Sequence, residues 1–133
     1  MLCLVGLARR QAGLPPLTPV DPLAGSAGLK SHDIFACDDF SHFACGNPFS
    51  LRIHESGYTS VPCWRIGENI AWGRGQLGTP RAIFRALMRS RTHRENILGD
   101  YQHIGIDSSF GSLGLLGPVT VWTQHFGAHC ATA

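Results

Sequence analysis

Apolar positions recur with helical spacing from the start of the chain. Between Leu2 and Gln11, Leu4, Leu7 and Ala8 fall on one side of a predicted helix, and Gly13 and Pro15-Pro16 end it. A second helix is predicted from near Thr18, a good N-cap, to near Cys37. Pro19 and Pro22 fit only its first turn, and Asp21 suits the positive end of its dipole. Leu23, Ala24, Ala27 and Ile34 mark its apolar side. Residues 38–63 lack a regular period apart from a short helix around Phe49 to His54. Gly67 to Gly73 is an apolar run bounded by glycines, a short strand candidate. The clearest helix covers Thr79 to Ser90, with Thr79 as cap and Pro80 in the first turn. Ile83, Phe84, Leu87 and Met88 form its inward stripe, and Arg81, Arg85 and Arg89 its solvated face. The period then changes to two. Ile104 and Ile106 alternate with Gly105 and Asp107, and Val119, Val121 and Thr123 alternate with Thr120, Trp122 and Gln124. Gly111, Gly114 and Gly117 lie between these strands, which suits antiparallel pairing. Helices first and strands last predict an α+β fold, a small antiparallel sheet covered by helices.

Composition narrows this further. The 133 residues suffice for one domain, residues 1–133, and 44 % apolar content excludes a disordered chain. A formal charge of +2 provides no field for nucleic acid or for a membrane surface. No apolar run approaches the roughly 18–20 residues of a transmembrane helix. Met1 to Ala8 is apolar, but no basic region precedes it and Arg9-Arg10 follow it. The expectation is therefore a chain that begins at or within its first helix, without an export signal in this stretch.

Five cysteines leave at least one without an intramolecular partner. Cys37, Cys45 and Cys63 cluster, which favours a disulfide. Cys37–Cys45 and Cys45–Cys63 are both open pairings, and five reduced cysteines are the alternative. No C-x₂₋₄-C pair occurs, which argues against zinc held by cysteines. Among seven histidines, His42 and His93 lie 26 and 25 residues either side of Glu68. Imidazole nitrogens and a carboxylate suit a borderline divalent ion such as zinc. The same residues could instead be structural: Glu68 bonded to backbone amides, and the two histidines partnered around it. Asn69 reads as a turn former, Trp72 and Trp122 as core, and Arg94-Glu95 as a solvated pair. No H-E-x-x-H or G-x-S-x-G motif is present.

Several ordered segments resemble the CAP superfamily, also called the SCP domain, and above all its bacterial branch. Phe40-Ser41-His42 resembles the family's first histidine motif. Gly67-Glu68-Asn69-Ile70-Ala71-Trp72-Gly73 is similar to its GENIAxG core, and Ser90 to Leu98 to its S-P-G-H-R-x-N-I-L segment. Ile104-Gly105-Ile106 and Trp122-Thr123-Gln124-His125-Phe126-Gly127 look like its closing strands. The resemblance implies an α-β-α sandwich with a cleft in which His42 and His93 are the histidines and Glu68 one acid. Ser90 takes the place where eukaryotic relatives carry a second acid. It further implies a secreted, extracellular, non-catalytic module, since catalysis is not a general family property. Such a module would bind a divalent metal, zinc favoured, and hold a lipid or protein partner. The alternatives are a metal-dependent hydrolase with Glu68 as general base, or a structural domain with a vestigial cleft. The chain departs from the pattern at Lys30, where relatives carry a histidine outside the cleft, and at Leu87 in place of tryptophan. Arg91-Thr92 replaces Pro-Gly before His93. His125 and His103 replace acids, and both read as surface residues.

Overall fold

A computed structural model describes residues 1–131. The helices are α1 (Leu2–Gln11), α2 (Asp21–Ala36), α3 (Ser50–Glu55), α4 (Pro80–Arg89) and α5 (Arg91–Ile97). The strands are β1 (Thr18–Pro19), β2 (Trp64–Gly73), β3 (His103–Ser112) and β4 (Pro118–His129), with short 3₁₀ turns between several elements. They form one sheet in the order β1-β3-β4-β2. The long strands β2, β4 and β3 are antiparallel, and β1 joins the β3 edge in parallel. The expected α+β architecture with helices on both faces of a small sheet is what the chain adopts.

Each face has its own core. Val5 of α1, Ile83 and Leu87 of α4 and Ile97 of α5 pack with Leu17, Ile104, Trp122 and Phe126. On the other face Ile34 of α2 packs with Ile70, Val119, Val121 and Leu113. α2 lies so close to the sheet that a Cβ on Gly105 would collide with the backbone of Leu23 and Ala24. Glycine is the residue that permits this approach.

Several local expectations change. The second helix begins at Asp21, because Thr18 and Val20 give their N–H groups to the carbonyls of Gln102 and Ile104 at 2.9 and 3.1 Å. Pro19, which has no N–H to give, sits on the edge strand, where none is needed. In α1 the buried residues are Val5 and Arg9, and Leu7 is exposed. Arg9 turns inward because carbonyls await it: its Nε donates to Pro15 at 2.8 Å, and Nη1 to Ile97 and Gly99 at 2.9 and 2.8 Å. Trp122 is core, its indole N–H bonded to Gly78, whereas Trp72 on the edge strand β2 is exposed. Phe84 and Met88 border the core, while Arg81, Arg85 and Arg89 face solvent as expected.

Disulfides join Cys37 to Cys45 and Cys63 to Cys130, leaving Cys3 as an exposed free thiol. The first open pairing is therefore realised. Cys45–Cys63 and the fully reduced alternative are not: Cys63 opens onto β2, whose N-terminal end lies beside the C-terminal end of β4 and so beside Cys130.

Candidate functional site

The sheet register builds the site. Glu68 on β2 lies directly across from His125 on β4, and the next pair is Asn69 with Gln124. Successive strand residues face opposite sides. Glu68 and His125 therefore face α2, while Asn69 and Gln124 face α5.

On the α2 face Glu68 is almost wholly buried, and both carboxylate oxygens are engaged. Oε1 lies 2.7 Å from Nδ1 of His42, and Oε2 lies 2.7 Å from Nε2 of His125. An ionised carboxylate only accepts, so both imidazole nitrogens donate to it. Nδ1 of His125 in turn meets the Ser26 hydroxyl at 2.7 Å. The Lys30 Nζ stands 3.9 Å from Glu68 Oε1, buried and without a hydrogen-bond partner among the described residues. Burial works to raise the pKa of Glu68. The bonds from His125 and His42, together with the charge of Lys30, outweigh it and hold the carboxyl below its ordinary range. Burial lowers the pKa of Lys30, opposed by Glu68, Asp33 and Asp39.

Lys30 does not line the cleft but is buried behind Glu68. Two expectations change here. His125 is not a surface residue but is 0 % exposed, and its alternation with Val119, Val121 and Thr123 was the available signal. Glu68 is satisfied by imidazoles, not by backbone amides.

On the other face α5, a helix not predicted after the one expected to end at Ser90, carries His93. Asn69 is not a turn residue. It is buried within β2, and its Nδ2 donates to the His93 carbonyl at 3.0 Å and to Gln124 Oε1 at 3.1 Å. Asn96 donates to Asn69 Oδ1 at 2.9 Å and to the Glu68 carbonyl at 3.1 Å. This amide ladder fixes α5 to β2 and sets the height of His93. Nδ1 of His93 meets Ser90 Oγ at 2.7 Å, so Ser90 orients that ring, and His93 makes no hydrogen bond to Glu68. Burial, and then the neighbouring His42, lower the pKa of His93.

A cleft of about 420 Å³ opens over His42, Glu68, Gly67, Asn96, Tyr101 and Phe49. A side chain at Gly67 would occupy the space of the Tyr101 hydroxyl and Asn96 Oδ1. At the rim, Phe43 is 62 % exposed. Among the described residues no three His, Cys, Asp or Glu side chains converge as a metal-binding group. His103, expected to be exposed, is half-buried against Tyr58, away from the cleft.

The chain matches the family described as "Cysteine-rich secretory protein family" (CAP) over residues 4–126. It is 33 % identical over 127 residues to the uncharacterized protein YkwD of Bacillus subtilis, covering 92 % of this chain and 44 % of that protein. The chain thus spans less than half the length of that relative. Among solved structures, an outer surface protein of Borrelia burgdorferi superposes with a TM-score of 0.75 at 18 % identity, over 97 % of this chain and 90 % of that one. An extracellular protein of Bacillus anthracis containing an SCP domain gives 0.75 at 23 % identity, over 96 % of this chain and 38 % of that one. These two likenesses are of fold.

Proposed function

The chain belongs to the cysteine-rich secretory protein (CAP) family, and on that footing we propose that it is a secreted binding module whose cleft takes a divalent metal ion between His42 and His93. The observation that carries this reading is that both rings are held through the same nitrogen, Nδ1. Each Nδ1 is committed to an oxygen, Glu68 for His42 and Ser90 for His93, which leaves each Nε2 for a ligand. Metal-binding imidazoles are commonly held by such contacts through their other nitrogen. Two neutral imidazoles suit zinc or a similar ion better than magnesium or calcium. Glu68 is spent on His42 and His125, so water or a partner's groups would complete the coordination. The exposed Phe43 beside the metal position supports an apolar contact with that partner, lipid or protein.

The hydrolase reading needs Glu68 as general base. Both of its oxygens already accept from imidazoles and its pKa is held down, so it is poorly placed to take a proton from water. Two protein ligands are also one fewer than catalytic zinc usually has. A location outside the cytoplasm is supported by the two disulfides.

The test is metal analysis and thermal unfolding with and without zinc chloride, beside the His42→Ala/His93→Ala variant. A ligand bound only to the native state at a hundred times its Kd stabilises by about 2.7 kcal/mol. The parent should bind one zinc per chain more than the variant and gain stability of that order beyond whatever gain the variant keeps. An equal gain in both would move the metal elsewhere, and none in the parent would leave the cleft a structural relic.

A further inference from the structure

A second pair of imidazoles stands at the end of the sheet where β3 begins and β4 closes, on the same face as Glu68 and His125. His103 opens β3 and His129 closes β4. The register pairs His103 with Gly127, so His129 is its diagonal neighbour on the same face. A Cβ on Gly127 would run into the ring of Tyr58. The absence of a side chain there lets Tyr58, from the loop after α3, lie against the sheet between the histidines.

Tyr58 contacts both. Its hydroxyl is 2.6 Å from Nδ1 of His103, and its backbone carbonyl is 2.9 Å from Nε2 of His129. A carbonyl only accepts, so His129 carries its proton on Nε2 and its lone pair on Nδ1. Burial pushes the pKa of Tyr58 up to about 12, so its hydroxyl stays neutral and available for hydrogen bonding. His103 Nε2 and His129 Nδ1 have no hydrogen-bond partner among the described residues. The two ring centroids are 5.5 Å apart, and both rings are only half-buried.

We propose that His103 and His129 form a second site for a divalent transition ion, separate from the cleft, with Tyr58 as the residue that orients both rings. One oxygen on the distal nitrogen of each ring is the arrangement that fixes metal-binding histidines. Two imidazoles on one zinc at about 2.0–2.1 Å and a near-tetrahedral angle place their ring centroids about 5 Å apart, close to the spacing present. With imidazoles and no carboxylate as donors, the site selects zinc, copper or nickel over magnesium or calcium. Water supplies the remaining positions. Ligation requires His103 to hold its proton on Nδ1, donated to the Tyr58 hydroxyl oxygen.

Calorimetric titration of zinc chloride into the His42→Ala/His93→Ala variant removes the cleft from the measurement, so this site is read whether or not the cleft binds metal. One zinc per chain is expected, weakened at least tenfold by His103→Gln or His129→Gln and several-fold by Tyr58→Phe. Should a glutamine variant fail to fold, imidazole ¹⁵N spectra of the unsubstituted protein give the same answer: zinc should shift His103 Nε2 and His129 Nδ1 together at one stoichiometry. Zinc binding undiminished in both glutamine variants, or spectra in which neither ring responds, would overturn the proposal.

Discussion

Nε2 of His125 and Oε2 of Glu68 meet at 2.7 Å across the β2–β4 ladder, at positions the register pairs directly. The acid of the cleft is thereby anchored from inside the protein, and His42 closes over it from the loop. A buried carboxylate with this many donors is a structural hub before it is a reagent.

Glu68→Gln keeps the shape of that hub and removes its charge. Lys30 would then lack its nearest counter-charge inside the protein, and His42 and His125 would lose a charged acceptor. Removing one partner of a buried ionic cluster costs about 3–5 kcal/mol. A loss of that size is expected in urea unfolding; a loss below about 1 kcal/mol would mean that Glu68 does not organise the interior.

Arg9 ties α1 to the end of α5 and the turn after it through the carbonyls of Ile97 and Gly99, and to the loop leaving α1 through that of Pro15. Arg9→Met retains much of the length and leaves those acceptors unpaired, at about 1–3 kcal/mol for each buried group. A fall in stability of about 3 kcal/mol or more is expected by chemical denaturation. Arg9→Lys should recover only part of it, since one ammonium cannot reproduce the forked geometry.

The two disulfides should contribute unequally. They close loops with sequence separations of 8 and 67 residues. Loop-closure entropy alone makes the longer bridge more stabilising by about 2 kcal/mol. Replacing Cys63 and Cys130 by serine should lower stability more than replacing Cys37 and Cys45. Thiol titration of the unreduced, unfolded protein should find one reactive group, Cys3.

Asp33 accepts two 2.8 Å bonds from the guanidinium of Arg52, which holds its pKa below the ordinary 3.8. A depressed carboxylate stabilises the fold above its unfolded pKa and loses that contribution as pH falls through its folded value. Arg52→Met should therefore cost stability at neutral pH, about 1–2 kcal/mol after allowing for the partly exposed guanidinium. The gap between parent and variant should be constant above about pH 5 and shrink below pH 4. A gap that persists unchanged to the acid limit would rule out the ion pair as its source.

The sequence carried the elements whose stability is local. The stop signals after Gln11, the Thr79 cap and the alternation through Val119, Val121 and Thr123 all mark real boundaries or faces. Extending that alternation two residues would have placed His125 inside. For a different reason, the place of Asn69 in the interior of β2 and the burial of Arg9 and Lys30 were not legible. Their burial depends on acceptors or charges supplied by segments distant in the chain, and nothing in their neighbours reveals those. Of the cleft, His42 and Glu68 do come together, whereas His93 is held near them by Ser90 and Asn69 and not by Glu68.

Residues 38–44, His42 among them, hang between the two sulfurs of the Cys37–Cys45 bridge. A reducing milieu would lengthen that tether, leaving the imidazole of His42 dependent on its one bond to Glu68. The geometry of the cleft is accordingly tied to the redox state of its surroundings, and assays run with thiol reagents would sample a slacker protein than assays run without them.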